Sequence, residues 1–200
     1  MKIVRNLVIT GHRPPRLGGY RSNIYATRTR DYMRGFFERL QQRHDFTLHL
    51  GMAQGVDMMA AKLAIELDIP FRAYVPGPDH GSRWPDWVFD AYSEVLQHAE
   101  GSARPVSPHV IEYSIDDPNV EWEECPTTGG RRTVHPRNYG DLMNRRNMAM
   151  ALEADCCLAI WDEKRQGGTY NMIAHIKKHY DYPLAYMNPF KPNQPTKRVR

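Results

Sequence analysis

The chain has 200 residues, of which 41% are hydrophobic and 25% are charged with both signs present, a balance typical of a globular chain. Its length fits one domain comfortably and two full domains poorly. The formal net charge is +4, but apart from a basic run at the very end the cations are scattered, so a nucleic-acid partner is disfavoured without being excluded.

Cysteine usage and hydropathy both indicate a cytoplasmic protein. The three cysteines cannot all pair, and Cys156 and Cys157 are adjacent inside an apolar run, which favours a reducing compartment. No apolar stretch approaches the roughly 18 residues of a membrane span, and no signal-peptide pattern opens the chain. We therefore expect no membrane partner.

Strand-like and helix-like patterns alternate along the sequence. The predicted strands are 2–10, 46–50, 71–75, 110–113, 156–161 and 183–187. The predicted helices are 26–43, 54–67, 85–98, 141–153 and 168–179. This order predicts an α/β fold, a Rossmann-like three-layer α/β/α arrangement with a mainly parallel sheet.

Domain organisation is expected to be simple. One domain would cover residues 1–187. Residues 101–137, which hold several prolines and an acidic patch, are predicted to be a long insertion over the surface. Residues 188–200, with three prolines, are predicted to form an extended or frayed tail.

The residues that follow the predicted strands are rich in glycine and polar side chains. In a parallel sheet the carboxyl ends of the strands meet at one edge, where ligands bind. Glycines let a phosphate approach the backbone, and free N–H groups at a helix start favour an anion. The residues concerned are Thr10, Gly11, His12, Arg13, Gly51, Gln54, Gly55, Asp57, Pro76, Asp162, Gly167, Gly168 and Thr169.

Charged and aromatic side chains near this edge suggest specific contacts. Arg13, Arg145 or Arg146 would bind a phosphate, and Asp57 or Asp162 would accept ribose hydroxyls. Trp84, together with Trp87 and Tyr92, would either stack on a base or pack helix 85–98 against the core. Each feature also has a structural interpretation, such as a turn-forming glycine or a solvated arginine. Their combination at one edge favours a ligand site.

Several common chemistries lack their sequence motifs. The chain has no G-x-x-x-x-G-K-[ST] loop, no G-x-G-x-x-G after the first strand and no G-x-S-x-G elbow. His175 and His179 share a helix face, but no third metal ligand is evident. We therefore expect no metal and no bound cofactor.

Four ordered motifs resemble the YspA/YpsA-like branch of the SLOG superfamily. They are Thr10–Pro14, Gly51–Asp57, Arg146–Met148 and Gly167–Thr169. The superfamily also holds the DNA-processing protein DprA and the LOG-type phosphoribohydrolases. The resemblance implies a Rossmann-like domain that binds a nucleotide or an ADP-ribose-like ligand, and a homo-oligomer.

The resemblance leaves three functions open. The first is a sensor or sequestering module without turnover, because Met172 stands where LOG-type enzymes carry a catalytic glutamate. The second is an N-glycosidic hydrolase or transferase, in which Asp57 or Asp162 is the catalytic carboxylate. There Arg146 would hold the phosphate and Asn147 would orient the sugar. The third is DprA-like binding of single-stranded DNA. We expect Asp57→Ala and Arg146→Ala to weaken ligand binding without unfolding the chain.

Overall fold

The computed structural model describes residues 3–76, 80–81, 83–97, 107–110, 122–124, 131–133, 136–191 and 196–199. The strands in these residues are β1 (Asn6–Gly11), β2 (Thr47–Leu50), β3 (Phe71–Val75), β4 (Ser107–Val110), β5 (Trp122–Glu124), β6 (Arg131–Thr133), β7 (Cys156–Ile160), β8 (Leu184–Met187) and β9 (Lys197–Val199). The α-helices are α1 (Ile24–Gln41), α2 (Val56–Glu66), α3 (Asp86–Gln97), α4 (Pro136–Glu153) and α5 (Gly168–His179).

A seven-stranded sheet forms the centre of the domain, in the order β4-β3-β2-β1-β7-β8-β9. Every neighbouring pair is parallel except β8 and β9, and β5 and β6 form a separate two-stranded antiparallel sheet. From β1 the chain moves outward through β2 to β4 and then returns to β7 on the other side. The junction of β1 and β7 is therefore the topological switch point, where Rossmann-like sheets bind ligands. This architecture confirms the predicted fold class.

The central strands are buried on both faces, as a sheet covered by helices requires. All five residues of β7 are buried, which explains its continuous apolar sequence. Alternate residues of β1 enter two cores: Leu7 and Ile9 lie in one, with the inward side chains of α1 and α2, and Val8 lies in the other, with those of α4 and α5. Asn23 caps the start of helix α1. Its side-chain oxygen accepts hydrogen bonds from the backbone N–H groups of Tyr25 and Ala26 in the first turn.

The boundaries differ from the predictions mainly in the second half of the chain. Helix α4 begins at Pro136 rather than at residue 141, since proline suits the first turn of a helix. Strand β4 begins at Ser107, and the predicted strand positions 111–113 lie outside the described residues. Part of the predicted surface insertion thus belongs to the main sheet.

The C-terminal residues also contribute to the sheet. Strand β9 pairs antiparallel with β8, with Ala185 opposite Arg198. The expected extended tail is therefore paired along 197–199, where it covers the edge of β8. Among the described helices, none is both long and apolar enough to cross a membrane.

Candidate functional site

His12 and Asp162 meet at the switch point because one follows β1 and the other follows β7. The backbone N–H of Asp162 donates to His12 Nε2 at 2.9 Å, and the Asp162 carboxylate oxygen Oδ1 lies 3.1 Å from the same nitrogen. Both contacts cannot be hydrogen bonds at once. Burial lowers the pKa of His12, so we assign a neutral ring that accepts from the backbone. Oδ1 accepts instead from the N–H of Lys164 at 3.1 Å.

The start of α5 lies beside this pair and is open. Gly167, at φ +88°, precedes the first turn, and as a glycine it has no side chain to cap the free N–H groups. Gly167 and Gly168 are exposed, whereas Thr169 is buried. Uncapped N–H groups at a helix start attract anions, so this turn is suited to a phosphate.

Arg16 lies beside the open turn, although the sequence interpretation did not select it. Its guanidinium Nη1 donates to the carbonyl of Gln166 at 3.3 Å, and a Cβ on Gly167 would lie 3.6 Å from that nitrogen. Arg16 ends a short 3₁₀ turn, Pro14–Arg16, which folds back toward α5. The run Arg13-Pro14-Pro15-Arg16 was the available signal, since its two arginines follow a strand end. Arg13 is exposed.

Arg146, Asn147, Asp57 and Gly51 form a second, buried group. Arg146 Nη1 donates to the carbonyl of Gly51 at 2.6 Å, and Nη2 donates to Asn147 Oδ1 at 2.9 Å. Asp57 Oδ2 accepts from the N–H of Ala53 at 3.1 Å. Burial raises the pKa of Asp57, and the nearby Arg146 opposes that rise.

The buried group has no room for a larger residue at position 51. A Cβ on Gly51 would lie 2.8 Å from Cζ of Arg146 and 3.0 Å from Oδ2 of Asp57. Both charged side chains are 6% exposed. The arrangement ties the β2–α2 loop to α4, and the predicted ligand contacts of Asp57, Arg146 and Asn147 stay predictions.

Two predicted ligand-binding glycines are sites of close packing. A Cβ on Gly11 would lie 2.6 Å from the side chain of Val56, and one on Gly55 would lie 2.5 Å from the carbonyl oxygen of His12. The N–H of Val56 donates to that same carbonyl at 3.2 Å. These glycines let the first turn of α2 contact the loop after β1.

Pro76 directly follows β3, and Trp84 lies against His80. The ring of Trp84 packs against His80 and Tyr92, with centroids 4.9 Å and 5.5 Å away. His80 Nε2 lies 3.0 Å from the carbonyl of Met52, and burial lowers the pKa of His80 to about 3, so the ring is neutral. Pro76 is buried. Trp84 is thus part of an aromatic cluster.

The remaining predicted residues have simple placements. Thr10 is 8% exposed at the end of β1, and Gln54 Oε1 accepts from the hydroxyl of Tyr20 at 2.9 Å. Met172, at the position of the LOG-type glutamate, is 1% exposed in the core between α5 and the sheet. The described residues contain no cluster of three or more His, Cys, Asp or Glu side chains that could hold a metal ion.

Glu163, next to Asp162, has a positive φ of 66° and many partners. Its carboxylate accepts from the hydroxyl of Tyr186 at 2.8 Å, from Lys197 at 3.0 Å and from Lys191. Lys191, the largest influence, lowers the pKa of Glu163 to about 2. The carboxylate therefore links the loop after β7 to β8, β9 and the segment between them.

We expect this carboxylate to make the protein acid-sensitive. Its pKa falls from 4.5 to about 2 on folding, so the stabilisation is present above 4.5 and disappears as the pH drops toward 2. Since the side chain is partly solvated, screening leaves about 1 kcal/mol at neutral pH. The free energy of unfolding, measured by urea at several pH values in this range, should depend less steeply on pH in Glu163→Gln than in the wild type. Glu94→Gln, on the exposed face of α3, should keep the pH dependence of the wild type. Equal slopes for the two variants would contradict the prediction.

Comparisons with known proteins support the fold. No family model and no curated protein sequence matches the chain. The solved structure of DNA processing protein A (DprA) from Streptococcus pneumoniae is similar, with a TM-score of 0.55 at 13% identity over 90% of this chain and 49% of that one. The DprA structure from Helicobacter pylori, described as showing a single-stranded DNA binding mode, gives 0.54 at 16% identity over 92% and 65%.

The similarity covers nearly all of this chain but only part of each DprA chain. This chain spans about half to two-thirds of the length of the two DprA chains. At 13% and 16% identity the likeness shows a shared fold, and membership of the SLOG superfamily and of its YspA/YpsA-like branch stays a proposal.

Proposed function

We propose that the protein binds a nucleotide or a nucleotide-derived ligand such as ADP-ribose at the junction of β1 and β7, as a sensor or sequestering module. The observation that carries this proposal is the open start of α5 beside Arg16. Free N–H groups and a guanidinium together bind a phosphate by charge-assisted hydrogen bonds. Asp162 lies at the same edge with a side chain that is 7% exposed, and we assign its carboxylate to a sugar hydroxyl.

The buried core argues for binding rather than turnover. Met172 packs in the core where LOG-type enzymes would need a glutamate. The guanidinium of Arg146 donates to Gly51 and Asn147, so its proposed phosphate contact would require these bonds to be exchanged. If the chain does cleave an N-glycosidic bond, Asp162 is the better placed carboxylate, because it follows β7 directly.

Binding of single-stranded DNA is the second candidate, favoured by one observation. The DprA structures share the fold, and the H. pylori protein is described as binding single-stranded DNA. The loops after β1 and β7 carry four basic side chains at this sheet edge, a surface that would suit a nucleic-acid backbone. They are Arg13, Arg16, Lys164 and Arg165. A strong dependence of oligonucleotide affinity on salt would support this candidate.

Arg16→Ala is expected to weaken nucleotide affinity by about 10-fold to 100-fold, as the loss of one charge-assisted hydrogen bond of about 1.5–3 kcal/mol implies. Isothermal titration with AMP, NAD and ADP-ribose would measure it, and chromatography would show whether the ligand stays intact. The matched control is Arg39→Ala, which removes an exposed arginine from the C-terminal end of α1. Unchanged nucleotide affinity in Arg16→Ala would argue against the proposed site. Release of free base from the ligand would show that the protein is an enzyme rather than a sensor.

A further inference from the structure

A second concave surface is lined in part by the 3₁₀ turn whose last residue, Arg16, lies beside the start of α5. Its walls differ from those of the proposed anion site, which is the start of α5 together with Arg16. This second surface is a cavity of about 260 Å³ between the 3₁₀ turn Pro14–Arg16, the start of α1 and the outward sides of α2 and α3. Met58 and Met59 contribute apolar surface, and Lys62 contributes a cation. Whole small-molecule ligands usually occupy about 300–1,000 Å³, so this cavity suits one moiety of a larger ligand.

Two exposed aromatic side chains line the cavity. Tyr20 is 51% exposed and Trp87 is 59% exposed, although both are large apolar rings. Their ring centroids are 5.8 Å apart at an angle of 85°, an edge-to-face pair. The hydroxyl of Tyr20 donates to Gln54 at 2.9 Å, which fixes its ring relative to the start of α2. The structure therefore presents rigid aromatic surface to solvent beside an apolar cavity.

The cavity and the anion site share the loop after β1. Pro14 lines the cavity and begins the 3₁₀ turn, while Arg16 ends that turn beside Gly167. Gly55 lines the cavity as well, and it packs against the carbonyl of His12. One short segment of chain thus separates a place for a phosphate from a place for a flat apolar group.

We propose that this cavity binds the nucleobase of the ligand, with Trp87 and Tyr20 as the stacking surface. The inference rests on the proposed function, since the phosphate at α5 would bring the base to the cavity. Every base has an apolar π-face, and stacking on an aromatic side chain tolerates different bases. Lys62 and the amide of Gln54 offer polar contacts to the edge of the ring. The base of a mononucleotide and a base of single-stranded DNA share this chemistry.

The test is to compare ligands with and without a base. AMP, GMP, CMP and UMP are titrated into the protein, with ribose 5-phosphate as the base-free probe and single-stranded oligothymidylate as the polymer. Trp87→Ala is expected to weaken binding of the mononucleotides by about 10-fold, the size of one stacking contact. Ribose 5-phosphate affinity should not change. Trp87→Phe is expected to retain binding, because the phenylalanine ring still stacks on the base. Any quenching of Trp87 fluorescence that nucleotides cause in the wild type should be absent from this variant.

The controls separate this cavity from general surface effects and from the anion site. Phe190→Ala removes another exposed aromatic ring, which packs on Tyr25 outside the cavity, and should leave all affinities unchanged. If nucleotides bind the wild type and Trp87→Ala binds them equally well, the base site is wrong while the proposed function stands. If adenosine binds as tightly as AMP and depends on Trp87, the base site stands and the anion site is wrong.

Two further results complete the test. If nucleotides, nucleosides and the oligonucleotide all fail to bind the wild type, both proposals fall. If only the oligonucleotide binds, and does so through Trp87, the base site stands and its ligand is single-stranded DNA.

Discussion

Gly55→Ala is expected to lower the free energy of unfolding by about 2–5 kcal/mol. Two costs combine. Position 55 has φ +94° and ψ −119°, backbone angles that glycine adopts freely and that cost another residue about 1–2 kcal/mol. The added Cβ would also lie 2.5 Å from the carbonyl oxygen of His12, and overpacking against a backbone that cannot yield costs about 1–3 kcal/mol. Urea unfolding followed by circular dichroism would measure the loss.

A second glycine isolates the steric part of that cost. Gly19 also has a positive φ, of 103°, but a Cβ there meets nothing within 4 Å. Gly19→Ala should therefore cost only the conformational penalty, about 1–2 kcal/mol. The excess loss in Gly55→Ala measures the close approach of α2 to the loop after β1. Equal losses in the two variants would show that this approach can relax.

Arg146→Met is expected to lower the free energy of unfolding by about 3–5 kcal/mol, the usual result of removing one partner from a buried charged group. The carbonyl of Gly51 would lose a 2.6 Å hydrogen bond, and Asp57 would lose the neighbouring positive charge. Burial thus revises the expectation that Arg146 can be replaced without affecting folding. Thermal and urea unfolding at neutral pH would measure the effect.

The adjacent Arg145 provides the matched control, since it lies exposed on the same helix. Arg145→Met should change stability by about 0.5 kcal/mol or less, as surface substitutions usually do. Adding Asp57→Asn to Arg146→Met should recover part of the loss, because the neutral amide removes the uncompensated buried charge. If Arg146→Met proves as stable as Arg145→Met, the guanidinium is not structural and its role as a ligand contact gains support.

Most of the fold could be predicted from local patterns. Helix α5 has its predicted bounds, as does β3, and β7 differs by one residue, because apolar periodicity and glycine boundaries are strong signals there. The meeting of His12 and Asp162 also follows from sequence, once strand ends are placed on one edge of a parallel sheet. The start of α4 and the position of β4 differ from the predictions, since residues 101–137 carry no clear periodicity.

The parts that could not be predicted depend on contacts between distant segments. Arg16 reaches Gly167 only because a 3₁₀ turn reverses the chain, and no periodicity reports that reversal. Arg146 and its exposed neighbour Arg145 look equivalent in the sequence, and packing alone decides that one is buried. The partners of Glu163 lie 23 to 34 residues further along the chain, on β8, on β9 and between them. Long-range packing overrides local preference in each case.

The parallel pairing of β1 with β7 has a kinetic consequence. Leu7 lies opposite Cys156, so this pair of strands closes a loop of 149 residues. The pairing of β1 with β2 joins Leu7 to Leu48, and that of β2 with β3 joins Leu48 to Phe71, so both close much shorter loops. Closing a long loop costs entropy before any contact repays it, and non-local pairing slows folding. We therefore expect the junction that carries the candidate site to form late in folding, when the two halves of the chain dock. A ligand bound across that junction would therefore slow unfolding more than it would speed folding, because its contacts form only after the two halves have docked.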